Sequence, residues 1–263
     1  MDSHFRGNDN ELSIQCKVNM KALVLGASGA TGKLVVQQLV KKNIQVRIVV
    51  RETAIIPNPI SNNKSIEVIK GNINDFEIAK IKDLVKDCDS VICCLGHNIS
   101  FKGIVGPPHK LVYNTVVKII EALQTNELKP KFILMSTTAY TNRKLSEVNT
   151  FGEKIVFSLL KVLLPPHKDN MLAADHLVYK LGSTNNIDWV AVRPDSLFDE
   201  DSVSEYEVHT NKIRSAIFNP GKTSRINVSN FMAELVTNDE LWQEWKHKTP
   251  VIYNKDVDVT VVP

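Results

Sequence analysis

Apolar runs rich in β-branched residues alternate with segments of helical period along most of the chain, the pattern of successive βα units. Lys21–Leu25, Gln45–Val50, Ile66–Lys70, Ser90–Leu95, Lys131–Ser136 and Asp188–Arg193 read as six strands. The first, "KALVL", is apolar at consecutive positions, as a strand covered on both faces requires. Helical period predicts a helix over Thr31–Lys42 with Leu34, Val35, Leu39 and Val40 on one side, another from about Lys110 to Leu123, and a third near Asp169–Leu181. After Pro194 the rhythm fades into loops, a helix near Asn230–Val236 and a last strand at "PVIYN". The fold expected is an α/β Rossmann-type doubly wound parallel sheet over residues 20–263, with 195–263 contributing a small C-terminal substrate lobe. Such sheets bind ligands beyond the carboxyl ends of their strands.

The chain has 263 residues, 43% of them hydrophobic and 23% charged, and a net charge of +3. Acidic and basic residues alternate without a concentrated Lys/Arg block, which argues against a nucleic-acid partner and leaves a small-molecule substrate. No apolar run approaches the roughly 20 residues of a membrane span. Cys16, Cys88, Cys93 and Cys94 have no metal-ligand spacing, and Cys93 and Cys94 lie in an apolar strand as small fillers. A reducing, cytoplasmic setting and no bound metal are expected. The polar segment 1–19 has no apolar signal region; Met20, directly before the first strand, reads as the natural start and 1–19 as a disordered extension. Oligomeric state is not legible.

Gly26, Gly29 and Gly32 fall in "GASGATG" between the first strand and the first helix. Gly26 permits a tight turn, Gly29 lets a pyrophosphate approach the backbone, and Gly32 lets helix and strand pack closely. The helix N-terminus, reached through Ala30, then offers N–H groups to the phosphates, and Ser28 and Thr31 add hydroxyls. Strand two ends "VVRE". Arg51 stands where an NAD-preferring site carries an acid, and its guanidinium suits a 2′-phosphate. Glu52, the next residue, is the alternative partner for a free 2′-hydroxyl. NADP(H) is favoured over NAD(H).

These motifs, with "VIKGNINDFE", "DSVICCLGHN", "FILMSTTAY", "IDWVAVRPDSL" and "SRINVSNFMAEL", make the chain resemble an atypical short-chain dehydrogenase/reductase. The group it resembles is the NAD(P)H-binding one that includes biliverdin-IXβ/flavin reductases and NmrA-like proteins. The resemblance implies that Asn72 and Ile73 flank the adenine, Asn72 replacing the usual aspartate. It places Leu95 and Gly96 beside the cofactor ribose and nicotinamide, and Pro194 in the loop nearing the nicotinamide. Ser136, Thr137 and Thr138 end strand five where the family sets a catalytic or substrate-orienting hydroxyl, and Thr138 is the match to it.

The chain departs from the family at the catalytic pair. Tyr140 and Lys144 have Tyr-x-x-x-Lys spacing but follow strand five with no room for the long active-site helix. Where that helix is due, Pro165 and Pro166 precede Asp169, which is either an N-cap or the proton donor. His167, Lys168 and Asn170 fall near the same cleft. Phe151–Pro166, apolar with helical period, is a cofactor cover, a dimer surface or a membrane-surface helix, though it lacks the Lys/Arg-rich polar face of the last, and an ordinary buried helix is the default. Arg225 is available to an anionic or carbonyl-bearing ligand, and Trp242 and Trp245 form a packing face. The expected function is hydride transfer from NADPH to a quinone, flavin or tetrapyrrole-like acceptor, with Thr138 and Asp169 as catalytic candidates. A non-catalytic NADP(H) sensor is the alternative. A nucleotide-sugar epimerase or dehydratase fits poorly without the tyrosine–lysine pair.

Overall fold

The computed structural model describes residues 20–54, 56, 60, 62–96, 110–163, 165–183 and 186–255. The expected extension 1–19 with Cys16, and His97 and Asn98 of the fourth-strand motif, lie outside the described residues. Strands β1 (Lys21–Leu25), β2 (Gln45–Val50), β3 (Ile66–Lys70), β4 (Ser90–Cys93), β5 (Lys131–Met135) and β6 (Trp189–Pro194) fall where the apolar runs predict, within two residues at their ends. They stand in the order β3-β2-β1-β4-β5-β6, all parallel, the doubly wound arrangement.

Helices α1 (Ala30–Lys41), α2 (Ile78–Val85), α3 (Leu111–Gln124), α4 (Phe151–Leu163) and α5 (Pro165–Asp175) follow in the crossovers, α5 continuing as a π-helical turn over His176–Leu181. Strand side chains alternate between two cores. Leu23, Leu25, Val91, Phe132 and Leu134 meet α2, α3 and α5, whereas Ala22, Val24, Ile92, Ile133 and Val192 meet α1 on the other face. On α1 the buried stripe runs through Val35, Val36 and Leu39, with Leu34 and Val40 only half-buried, so the core-facing side is turned by one position from the expected one.

The C-terminal part does more than add a lobe. Strands β7 (Ser196–Phe198) and β9 (Lys222–Ser224) form a separate parallel pair, and β8 (Tyr206–His209) pairs antiparallel with β10 (Val251–Asn254). Strand β10 joins β6 in parallel, extending the main sheet to eight strands. Helices α6 (Arg225–Thr237) and α7 (Asp239–Trp245) then complete the second core, where Trp242 and Trp245 are buried as their spacing predicts. Helix α6 is longer than its expected core because Ser224 caps it, accepting from the Asn227 N–H.

Candidate functional site

Register brings the carboxyl ends of the central strands level: Leu25 pairs with Val49 and Cys93, Cys93 with Leu134, and Leu134 with Ala191. The ladder runs on past the strands. Cys94 N–H donates to Leu25 O at 2.9 Å, Ser136 N–H to Val192 O at 2.7 Å and Thr138 N–H to Pro194 O at 3.1 Å. Gly26, Leu95, Gly96, Ser136, Thr138 and Pro194 therefore lie along one edge of the sheet, at the carboxyl ends of its strands. Arg51 ends β2 and Asn72 follows β3 along the same edge.

The glycine turn fits a dinucleotide pyrophosphate by steric necessity. Gly26 has φ +80°, and a Cβ there would lie 2.5 Å from Cys94 O. A Cβ on Gly32 would lie 2.1 Å from Gly26 O, so both positions are closed to a side chain. Gly29 caps α1 with no side-chain hydrogen bond, and the first turn of that helix carries no acid. Ser28, Gly29 and Ala30 are exposed and Thr31 is buried beneath them. Exposed backbone at an uncapped helix N-terminus is the chemistry a phosphate selects. Arg51 is exposed at the end of β2, free to reach a ligand from the side. Asn72 is engaged in its own turn, accepting from Asn74 N–H and donating to Asp75 Oδ2 at 3.0 Å, while Ile73 is buried in the core.

The strand-five residues carry the reactive polar groups. Ser136 is buried and its Oγ has no hydrogen-bond partner among the described residues. Buried polar atoms are almost always paired, so an orphan hydroxyl at this edge points to a ligand as its partner. Thr138, also buried, donates its hydroxyl to the carboxyl of Asp195, the residue after Pro194. Asp195 further accepts from Ser196 N–H at 2.9 Å and Gly221 N–H at 3.0 Å. Burial pushes its carboxyl up, and those three hydrogen bonds only partly oppose the shift. Sequence reasoning stopped at Pro194. The signal available was an acid one position beyond a strand end at the ligand edge.

Asp169 is placed differently from expectation. Helix α5 begins at Pro165, so Asp169 is not its N-cap. Its carboxylate is buried and accepts from Val112 N–H at 2.8 Å and Tyr113 N–H at 2.9 Å, capping α3 from another helix. Of its neighbours, His167 stacks on Phe157, and Lys168 is exposed. Tyr140 and Lys144 do not form a proton-transfer pair. The Tyr140 hydroxyl donates to Asp175 at 3.0 Å, and burial together with that carboxylate pushes the phenol up. Lys144 instead donates to Val178 O. Arg225 is paired with Asp199. Burial pushes the Cys93 thiol up to about 12, in keeping with a filler.

A cleft of about 860 Å³ lies between the loop after β5, α4 and α5, lined by Tyr140, Lys144, Lys154, Phe157, Met171 and Tyr179 among others. Behind that loop, Arg193 is fully buried and donates to both oxygens of Glu147, at 2.8 and 2.9 Å. Burial acts to raise the Glu147 carboxyl, but Arg193 outweighs it and holds the group below the usual range. The pair fixes the loop that carries Tyr140 against β6.

A parallel sheet in this order, a side-chain-free turn leading into an uncapped helix and an unpaired hydroxyl at the same edge define a dinucleotide-binding protein of the Rossmann class. Residues 26–239 match the NAD(P)H-binding family, and the chain belongs to it. Among solved structures it is similar to the oxidoreductase YlbE of Lactococcus lactis, at 18% identity and a TM-score of 0.65 over 89% of this chain and 91% of that one. A short-chain dehydrogenase/reductase of Veillonella parvula in complex with NADP aligns at 16% identity and TM-score 0.63, covering 90% of this chain and 95% of that one. ChuY, an anaerobilin reductase of Escherichia coli O157:H7, gives 15% identity and TM-score 0.63 over 90% and 98%. An uncharacterised chloroplastic protein of Arabidopsis thaliana is 23% identical over 147 residues, 53% of this chain and 51% of the plant protein. The chain thus spans about half the length of that curated relative.

Proposed function

We propose that this protein is an NADPH-dependent oxidoreductase that passes hydride to a small planar or carbonyl-bearing acceptor of the quinone, flavin or tetrapyrrole kind. The observation that carries this reading is the orphan Ser136 hydroxyl beside the Thr138–Asp195 pair, at the edge headed by the glycine turn. NADPH, when bound, supplies the hydride. In this reading the turn at Ser28–Gly32 and the start of α1 hold the pyrophosphate, and Arg51 holds the 2′-phosphate. Asn72 and Ile73 border the adenine. Leu95, Gly96 and Pro194 border the nicotinamide riboside.

Ser136 Oγ both donates and accepts, and so orients a carbonyl or ring nitrogen of the acceptor. Thr138 gives its hydrogen to Asp195, which leaves its lone pairs for a ligand N–H or O–H. Both oxygens of Asp169 are already held by the backbone N–H groups that begin α3. The proton that balances the hydride therefore comes from water held at Ser136 and Thr138 in preference to Asp169.

The test is titration with NADPH, NADH and NADP⁺, followed by oxidation assays with quinone and flavin acceptors. Tight NADPH binding with acceptor-dependent oxidation is expected, and Arg51→Glu weakens NADPH binding about 10- to 100-fold with little change for NADH. Equal loss for both cofactors removes Arg51 from this role. The buried, Asp175-bonded Tyr140 favours one second reading, a non-catalytic NADP(H) sensor, because no side-chain acid–base pair is assembled there. Tight NADP⁺ binding with no turnover on any acceptor selects it.

A further inference from the structure

Helix α4 turns an apolar face to solvent. Phe151, Ile155 and Leu159 recur at four-residue spacing and are 80%, 48% and 55% exposed, and Val148 just before them is 79% exposed. The ring of Phe218, itself exposed, rests against Gly152 and widens the same face. Among the described side chains of α4, the default expectation of a buried helix is met only by Phe157 and Glu153 on the inner side.

Among the described side chains of α4, the loop before it and the start of α5, the exposed charges are of one sign. Arg143, Lys144, Lys154 and Lys168 are all exposed. The two acids of the same stretch are withdrawn into the protein: Glu147 onto Arg193, and Glu153 onto the Ser215 hydroxyl at 2.7 Å and the Thr150 N–H at 2.8 Å. The exposed acids Asp199, Asp201 and Glu205 lie in a loop fastened to α6 through Ser204 and Asn227, and α6 belongs to the opposite face of the sheet. A second copy of the chain set against α4 by two-fold symmetry would bring cations onto cations. A bilayer surface with negative headgroups offers both apolar depth and the complementary charge.

We propose that α4, with the loop preceding it, docks on an anionic lipid surface. The helix lies in the plane of the interface with Phe151, Ile155 and Leu159 entering the boundary between headgroups and acyl chains, while the flanking cations meet the headgroups. No helix among the described residues is long and apolar enough to cross a membrane, so the contact is peripheral. The cleft of about 860 Å³ shares Val148, Lys154 and Ser158 with this surface, so docking brings the cleft to the lipid boundary.

The experiment is co-sedimentation of the purified full chain with vesicles of phosphatidylcholine alone and of phosphatidylcholine mixed with phosphatidylglycerol. Binding to the anionic vesicles is expected, weakening as salt rises. The double variant Val148→Ser, Phe151→Ser binds about tenfold less or worse with an unchanged melting curve, because both side chains stand almost wholly in solvent before docking. Lys154→Glu also weakens binding. Equal recovery on neutral vesicles, or full binding by the double variant, overturns the proposal. So does the absence of vesicle binding, and a dimer in light scattering that Leu159→Ser abolishes would assign the face to a second copy. Cofactor and acceptor are left out of the assay, so its outcome is separate from that of the reductase reading.

Discussion

Gly29 and Gly32 sit in the same turn, but a methyl group at each position has a different effect. At Gly32 the added carbon lands 2.1 Å from the carbonyl of Gly26, which has no room to move under β4. Gly32→Ala is expected to cost about 3 kcal/mol or more in urea unfolding, because strand and helix must separate. At Gly29 the nearest atom, the same carbonyl oxygen, is 3.2 Å away, a tight contact that a shift of a few tenths of an ångström at this exposed position relieves, so Gly29→Ala costs much less than Gly32→Ala. Its loss appears instead in the NADPH titration, as a methyl group standing where a phosphate must approach. The spacing of the three glycines made this turn legible. So was the packing role of Gly32; what closes Gly26, the carbonyl of Cys94, is set by sheet order and was not. Asp195 was hidden for a related reason: its anchor Gly221 lies 26 residues further on, across a loop with no regular pattern.

At the scale of elements, the loop after β5 depends on one buried ion pair. Replacing Glu147 by Ala leaves Arg193 charged, wholly buried and without its carboxylate. A loss of about 3–5 kcal/mol is expected, read as a lower urea midpoint at unchanged slope. Glu147→Gln retains part of the hydrogen bonding and loses less. Most helices were legible from their period, though α2 was not read, and two were read with the wrong environment. The apolar period of α4 is the same whether the stripe meets a core or solvent. Asp169 is the residue type that begins helices, and it does cap one, but the helix is α3, more than fifty residues earlier in the chain.

For the whole molecule, acid is the informative perturbation. Burial acts to raise the Asp87 carboxyl, but hydrogen bonds from Arg47 and Lys21 outweigh it and hold the group at about 2. A carboxylate depressed in the folded state contributes stability above its unfolded value, and that contribution is lost as pH falls from 3.8 towards about 2. Glu147 acts in the same direction. Asp195 has the opposite sign: its raised carboxyl favours the folded state at low pH and the benefit fades as pH rises through its folded value. Urea midpoints followed across this range should fall steeply for the native chain. Asp87→Asn should flatten the fall below pH 3.8, and Asp195→Asn should remove the gain that accrues above 3.8 as acid is added. Saturating NADPH should raise the midpoint at neutral pH, by about 2.7 kcal/mol at a hundredfold excess over the dissociation constant.

The bond from Asp169 to the start of α3 has a directional consequence. The fold is two similar halves, each with a helix whose first turn faces the carboxyl edge: α1 after β1 and α3 after β4. In the second half a carboxylate of the chain itself already sits on the N–H groups of Val112 and Tyr113, filling the place an outside anion would take. Among the described residues, the first turn of α1 carries no such carboxylate. In the reading proposed above, a ligand with a phosphate at one end and a flat ring at the other is thus offered a single polarity, and the molecule cannot be read backwards.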